Sequence, residues 1–318
     1  MTDPNEVTCF QSARARASRF CREREWDKFH LPASITLALS GESGEICEIF
    51  QWKGTLEAQP GAAHFSEKEM INIGEEIADV FIYSTRLCEV CNIDMAQAAR
   101  VAEAAFAGAG NFADAASCGQ GPPPSFQVRR PQEADWEALG MGELSDIVAQ
   151  TQSQTFRSQR HVSLCLQAAV GQICALFAAR PESQSAPGLD CWSTSEVAQL
   201  AWHVGHICVL LACLARFSGH SLGDCVGSKF CKNAKKYPVD LARGSSAKYT
   251  AYEESVAQRQ QQAYAGVKEV ARAAHSKSDT SKPDGTSTGI PTHGYSAWLV
   301  VAAAGTGFAL GYLSTAPR

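Results

Sequence analysis

The sequence predicts an all-α protein. Apolar residues recur at three- and four-residue spacing through long segments, as one buried helix face requires. The helix-start signature Ser66-x-x-Glu69 returns as Ser193-x-x-Glu196, and segments rich in Gly, Pro, Ser or Ala separate the periodic stretches. At 318 residues, the chain is long enough for one large domain or two modest ones.

In chain order, the residues up to about Thr8 are polar. Residues 9–29 carry apolar and aromatic side chains at helical spacing among Arg and Glu, predicting a helix that ends near His30-Leu31-Pro32. Pro32 restarts the chain, and residues 33–50 form a second helix closed by Gln51-Trp52-Lys53-Gly54. After a loop at Pro60-Gly61, the Ser66 capping box opens a third helix that runs to about Val90. A shorter helix follows Asn92-Ile93-Asp94 to about Phe106. Residues 107–135, with Pro122-Pro123-Pro124, read as a linker offering little to bury.

The same organisation then returns. Aligning Phe29 with Phe156 sets an offset of 127 (156 − 29). Without gaps, that offset pairs Gly44-Glu45-Ile46-Cys47 with Gly171-Gln172-Ile173-Cys174, Phe50 with Phe177, and Pro60-Gly61 with Pro187-Gly188. It also pairs Ser66 and Glu69 with Ser193 and Glu196, and Leu87 with Leu214. Caps, turns and core positions recurring in register predict an internal duplication.

Beyond the second copy, residues 251–274 are polar and can be helical, and residues 275–293 form a flexible tether. Residues 295–313 are nineteen positions without a charge. As a helix they would span roughly 28 Å, close to a bilayer core, and predict a membrane-anchoring tail helix.

A net charge of −5 gives no general basic footprint, so nucleic acid is not an expected partner. The 13 cysteines are scattered and odd in number, and no signal peptide opens the chain, which fits reduced, buried thiols in the cytosol. Cys88-x-x-Cys91 lacks a second pair and reads as helix packing rather than a zinc site.

The chemistry is concentrated in two acidic stretches. GESGEICEIF, residues 41–50, places Glu42, Glu45 and Glu48 three residues apart, and Glu75-Glu76-Ile77-Ala78-Asp79 follows about thirty residues later. Each is interrupted by core-type residues such as Ile46, Ile49, Ile77 and Val80. Clustered acids repel unless a cation offsets them, so Glu42, Glu45, Glu76 and Asp79 are expected to share a hard divalent metal. Oxygen-only ligands favour Mg²⁺ or Mn²⁺ over zinc, and the Glu-x-x-His of a di-iron bundle is missing. At these four positions the second copy has Ala169, Gln172, His203 and His206. The two histidines read as structural or hydrogen-bonding groups, since a zinc pair would need further ligands. The second copy alone carries a basic element, Lys229 through Lys236 followed by Tyr237-Pro238.

Taken together, Phe20-x-x-Glu23-Arg24-x-Trp26-x-x-Phe29-His30-x-Pro32, Gly41-Glu42-x-Gly44-Glu45, Phe50-Gln51-Trp52-Lys53 and Glu75-Glu76-x-x-Asp79-Val80-x-Ile82-Tyr83 closely resemble the all-α MazG-like nucleotide pyrophosphatases, and within them the dCTP pyrophosphatases. Lys229-x-x-x-Asn233-x-x-x-Tyr237-Pro238 and Leu241-Ala242-Arg243-Gly244-Ser245-Ser246-x-Lys248-Tyr249 continue the resemblance, which covers about residues 20–95 and 225–250. It implies Mg²⁺-dependent hydrolysis of a deoxynucleoside triphosphate to the monophosphate and pyrophosphate. Glu42, Glu45, Glu76 and Asp79 would bind metal, Lys229, Asn233 and Tyr237 the triphosphate, and His30, Trp26 and Trp52 the base. dUTP, a broader dNTP range, or nucleotide binding without hydrolysis remain as alternatives.

Family members keep the acids and the basic helix in one repeat and pair as oligomers. Here they are divided between repeats at 9–106 and 136–250, so a pseudo-dimer of tandem MazG-like four-helix-type repeats with one composite site is expected. Further homo-oligomerisation of pseudo-dimers is compatible with it. The tail at 295–313 would tether a cytosolic catalytic region to the endoplasmic reticulum or mitochondrial outer membrane; a purely cytosolic protein is the alternative.

Overall fold

A computed structural model describes residues 7–53, 64–108, 121–130, 139–151 and 158–252, with positions 255 and 261. All of these lie in the first of two compact units, residues 1–261; the second is 262–318. The expected C-terminal helix at 295–313 and nearly all of the tether before it fall outside the described residues, as do Gly54, Pro60, Gly61 and Phe156.

The described residues form an all-helical array: α1 Phe10–Glu23, α2 Pro32–Phe50, α3 Glu67–Val90, α4 Met95–Gly108, α5 Met141–Thr151, α6 Gln159–Ala178, α7 Thr194–Phe217, α8 Leu222–Lys236 and the short α9 Val239–Ala242. A single bridge, Cys9 to Gly140, is the only extended pairing among them.

Local chemistry sets the boundaries. Cys9 and Ser12 cap α1 reciprocally, and Pro32 opens α2 with the backbone angle that a first helical turn needs. Ser66 with Glu69 and Ser193 with Glu196 form the expected capping boxes on α3 and α7. Helix α1 stops earlier than residue 29. Glu25 adopts φ +55, and the Trp26 N–H turns back to Cys21 O at 3.0 Å. Residues 24–30 therefore fold as turns beside the helix end rather than as another helical turn and a half. The expected linker also carries order where it is described. Phe126 and Val128 pack against the core, and Gln97 bridges to the backbone of Gln127 and Arg129.

Helix α2 packs on α3 and on α6, and α6 packs on α7. The crossing continues outward: α8 lies against α3, and α4 lies against α7. Each late helix thus rests on the long helix of the other half. The ends of α3 and α7 differ by 127 residues (194 − 67 and 217 − 90), as do the starts of α2 and α6 and of α4 and α8. Side-chain contacts repeat at the same spacing. The Lys53–Glu69 pair matches Arg180–Glu196, and the edge-on Phe50–Phe65 contact matches the tilted Phe177–Trp192 contact.

Helices α6 and α7 are each long and apolar enough to cross a membrane, but 94% of the α7 apolar window is buried inside the protein. Its role here is that of a central core helix, walled in by α3, α4, α5 and α6. Cys88, Cys91 and Cys208 sit in this core with no exposure, packed as small apolar side chains.

Candidate functional site

A cavity of about 580 Å³ opens among α2, α3 and α8, bordered by Trp26, Phe29 and His30 on one side and by residues 246–249 on the other. The buried stripe of α2 is Leu39, Ser43, Ile46 and Phe50, and that of α3 includes Ile73, Ile77, Val80 and Phe81. With those positions turned to the core, Glu42 and Glu45 on α2 and Glu76 and Asp79 on α3 line the cavity. Ligand oxygens of Glu42, Glu45 and Glu76 all lie within 4.8 Å of one another.

Lys229 comes from α8 and is 4% exposed. Its ammonium pairs with Asp79 and lies 3.5 Å from Glu75 Oε2, while Lys232 also pairs with Glu75. Asn233, one helical turn further on, lines the cavity beside them. The two halves of the chain therefore meet here: the acids lie in the first, and the cation and amide in the second.

Burial and then the neighbouring Asp79, Glu45 and Glu76 push the Glu42 carboxyl up to about 7. Glu76 is also pushed up to about 7, chiefly by burial and further by Asp79 and Glu45, with Lys229 acting against the shift. Burial raises Asp79 too, although Lys229 offsets part of it. Burial opposes charge on Lys229, but Asp79, Glu76 and Glu75 outweigh it and raise its pKa. Three converging acids with one buried ammonium leave an excess of negative charge. The donor set is hard oxygen, so a divalent Mg²⁺- or Mn²⁺-type ion fits the residues present.

The far end of the cavity is aromatic. Phe20 lies edge-on to Trp26 with ring centroids 5.7 Å apart, and Trp26 lies edge-on to Tyr237 at 5.1 Å. The Trp26 indole donates to Ala242 O at 3.1 Å, which fixes its ring plane at the wall. His30, Ile82, Tyr83 and Arg86 complete this end. Arg24 supports it from behind, stacked 3.7 Å from the Phe20 ring centroid and donating to Tyr237 O at 2.8 Å.

Of the expected site residues, Glu42, Glu45, Glu76, Asp79, Lys229, Asn233, Tyr237, His30 and Trp26 all line this cavity. Trp52 does not. It sits past the end of α2, is 88% exposed and lies outside this cavity. Tyr237 packs its ring against Trp26 and Tyr249, on the aromatic wall. Arg86 was not expected. The available signal was a lone arginine inside the apolar stretch Phe81 to Cys88, where a charge must find partners.

At the equivalent positions of the second half, the space is packed. His206 is 2% exposed, donates from Nδ1 to Trp202 O at 2.9 Å and lies 5.0 Å from the Phe106 ring. Phe106 and Ala102, on α4, occupy the positions that Asn233 and Lys229 hold on α8 (233 − 106 and 229 − 102, each 127).

The fold and the site define an all-helical protein whose single described carboxylate cluster faces a buried lysine across an aromatic-ended cavity. In sequence it is similar to dCTP pyrophosphatase 1. The Rattus norvegicus protein is 42% identical over 81 residues, 26% of this chain and 46% of that protein. The Homo sapiens protein is 41% identical over 78 residues, 24% of this chain and 45% of that protein. The chain thus spans less than half the length of the curated relatives it matches. No family profile matches the chain, and no solved structure matches it.

Proposed function

We propose that this chain is a nucleoside triphosphate pyrophosphatase that hydrolyses dCTP, or a related or modified deoxynucleoside triphosphate, to the monophosphate and pyrophosphate. Its role would be sanitation of the nucleotide pool. The observation that carries this reading is the convergence of Glu42, Glu45 and Glu76 opposite Lys229, in a cavity whose other end is aromatic. The similarity to dCTP pyrophosphatase 1 supports it.

Glu42, Glu45, Glu76 and Asp79 would hold the ion, Mg²⁺ with Mn²⁺ as a substitute. When bound, such an ion neutralises charge on phosphate oxygens and lowers the pKa of water. Lys229 then exchanges Asp79 for the triphosphate and, with Asn233, donates N–H groups to its oxygens as charge develops there. One carboxylate of this set would orient the attacking water and take its proton. Trp26 offers a face for stacking, and the base would lie toward His30.

On this reading, residues 9–106 and 136–250 are two fused repeats sharing one composite site, free to pair further as homo-oligomers. The apolar segment 295–313 would anchor the cytosolic catalytic region to the endoplasmic reticulum or mitochondrial outer membrane. Fractionation of the full chain against one ending at 293 tests that anchor, and equal solubility of the two would overturn it.

Pyrophosphate release from a panel of deoxynucleoside triphosphates, with and without Mg²⁺, tests the activity. Turnover of dCTP only with the ion is expected. Faster turnover of dUTP would move the substrate assignment, and nucleotide binding without pyrophosphate would replace the enzyme with a binding protein.

A further inference from the structure

Behind the aromatic end of the cavity, a buried cation faces an imidazole. Arg86 is 6% exposed, and its guanidinium is engaged in three directions. Nε donates to His30 Nδ1 at 3.0 Å, Nη1 donates to Glu89 at 2.6 Å, and Nη2 pairs with Asp27. The Ser18 hydroxyl donates to the other oxygen of Glu89 and helps to hold that carboxylate. Two carboxylates suffice to offset a buried guanidinium. The third direction, toward His30, needs a separate reason.

A guanidinium has donors only and stays protonated, so the Nδ1 that receives its N–H must present a lone pair. The other neighbour of Nδ1 is Cys21 Sγ at 3.6 Å, and burial pushes that thiol up to about 12, so it is no thiolate. The groups facing His30 are thus Arg86, Cys21 and, across the guanidinium, Asp27. Burial first, then the Arg86 charge, lower His30 to about 4, with Asp27 opposing. A neutral ring that accepts the Arg86 N–H at Nδ1 carries its one proton on Nε2. His30 lines the cavity, and Nε2 has no hydrogen-bond partner among the described residues.

We propose that Arg86 is a positioning residue that holds His30 as the Nε2–H tautomer and so makes the aromatic end of the cavity a hydrogen-bond donor. That donor selects bases offering an acceptor, such as the unprotonated ring nitrogen of a cytosine-type base, over bases presenting N–H there, as uracil and thymine types do. A donor facing a donor leaves both unpaired in a partly buried site, which penalises the wrong base. The selection half of this proposal rests on the nucleotide reading of the cavity; the tautomer half does not.

Long-range ¹⁵N correlation spectra of the histidine rings in the full chain, with His30 assigned by its loss in His30→Gln, read the tautomer without turnover. The expected result is a protonated Nε2 and an unprotonated Nδ1, neutral from about pH 5 upward. An Nδ1–H tautomer or an imidazolium at pH 7 would overturn the proposal. In Arg86→Met, His30 should show mixed tautomers and its pKa should rise, with burial still holding it below the ordinary range. The same variant should raise KM for dCTP about tenfold, the scale of one hydrogen bond, with a smaller change in kcat and a reduced preference for dCTP over dUTP. Unchanged His30 spectra or unchanged base preference in the folded variant contradict it. If Arg86→Met does not fold, Arg86→Met with Glu89→Gln removes the unpaired charge and gives the same readouts. Absence of pyrophosphate release from every deoxynucleoside triphosphate would overturn the proposed function and base selection together, while the spectra still decide the tautomer.

Discussion

Where α2 and α3 face α8, a cavity of about 580 Å³ is lined by acids, a lysine and aromatic rings; where α6 and α7 face α4, the matching positions hold packed side chains. The supporting contacts are alike, down to the capping boxes and the paired rings beside them. What differs is the layer pointing between the helices. One side keeps Glu42, Glu76, Asp79 and Lys229; the other has Ala169, His203, His206 and Ala102. The same pattern of helix contacts thus supports an open, charged face on one side and a packed one on the other.

The largest effect should come from breaking that asymmetry at the charges. Lys229→Ala and Glu76→Gln should each lower pyrophosphate release by about 10²- to 10³-fold, the scale seen when one transition-state donor or charge is removed. His203→Gln, in the packed half, should leave turnover within about twofold, well under one hydrogen bond's worth. Steady-state kinetics on dCTP with Mg²⁺ measures both. Full turnover by Lys229→Ala would mean that the two halves do not share a site.

A second contrast concerns how closely the helices approach. A Cβ at Gly205 would fall 2.2 Å from Ala98 O, a backbone atom that cannot swing aside, so α4 sits against α7 too tightly for any side chain there. Ala78 is the matching position on α3, wholly buried yet with room for its methyl. Gly205→Ala should therefore cost about 3 kcal/mol by overpacking, against about 1 kcal/mol for Ala78→Gly through lost helix propensity. Denaturant unfolding of the two variants gives the comparison, and a stabilised Gly205→Ala would show that the packed half is not at its limit.

The two halves should also titrate in opposite directions. Glu42 and Glu76 sit near 7 when folded against an ordinary 4.5, so the ion-free native state binds more protons between those values. Their contribution to stability is lost as pH rises from about 4.5 to 7, and a divalent ion should restore it above 7. His203 is lowered to about 4 from 6.5, chiefly by burial and then by His206, so its contribution is lost as pH falls through that window. The two windows overlap, so the opposing slopes partly cancel in the thermal midpoint of the ion-free protein. Glu76→Gln should make the midpoint fall less as pH rises through this range and His203→Gln should make it fall more; the reverse pattern would refute the assignment.

Much of this comparison could be read from the letters because repeated local rules wrote it. Ser66-x-x-Glu69 and Ser193-x-x-Glu196 set the start of each long helix, and apolar spacing set the faces of α2 and α3. The acids and Lys229 were visible as residue types that core packing does not explain. Other features depend on tertiary context. Nothing in Arg24-Glu25-Trp26 announces that Glu25 will take a positive φ and end α1, since a non-glycine there is held by the contacts around it. Arg86 belongs to α3 by sequence, but its meaning comes from Asp27 and His30, which only that turn brings within reach. Trp52 and Trp26 both follow the end of a helix, but Trp26 is held by Phe20, Tyr237 and Ala242 O while Trp52 is exposed.

The smallest expected effect tests whether the two scaffolds are equal where their chemistry is not involved. Lys53 pairs with Glu69 and lies 4.7 Å from the Phe65 ring centroid; Arg180 pairs with Glu196 and lies 5.0 Å from that of Trp192. Each cation ties the end of α2 or α6 to the capping box of the following helix. Exposed pairs of this kind contribute about 0.2 to 1 kcal/mol, with a cation–π contact adding about 0.5 kcal/mol. Lys53→Ala and Arg180→Ala should each cost about 1 kcal/mol or less, by nearly the same amount, and should leave KM for dCTP unchanged because neither side chain lines the cavity. Arg180→Ala should be the slightly costlier, since its flat guanidinium stacks on an indole where Lys53 offers only a point charge to a phenyl ring. Urea unfolding of both variants resolves the pair; a loss confined to Lys53→Ala would show that the half bearing the site depends on this tie more than the packed half does.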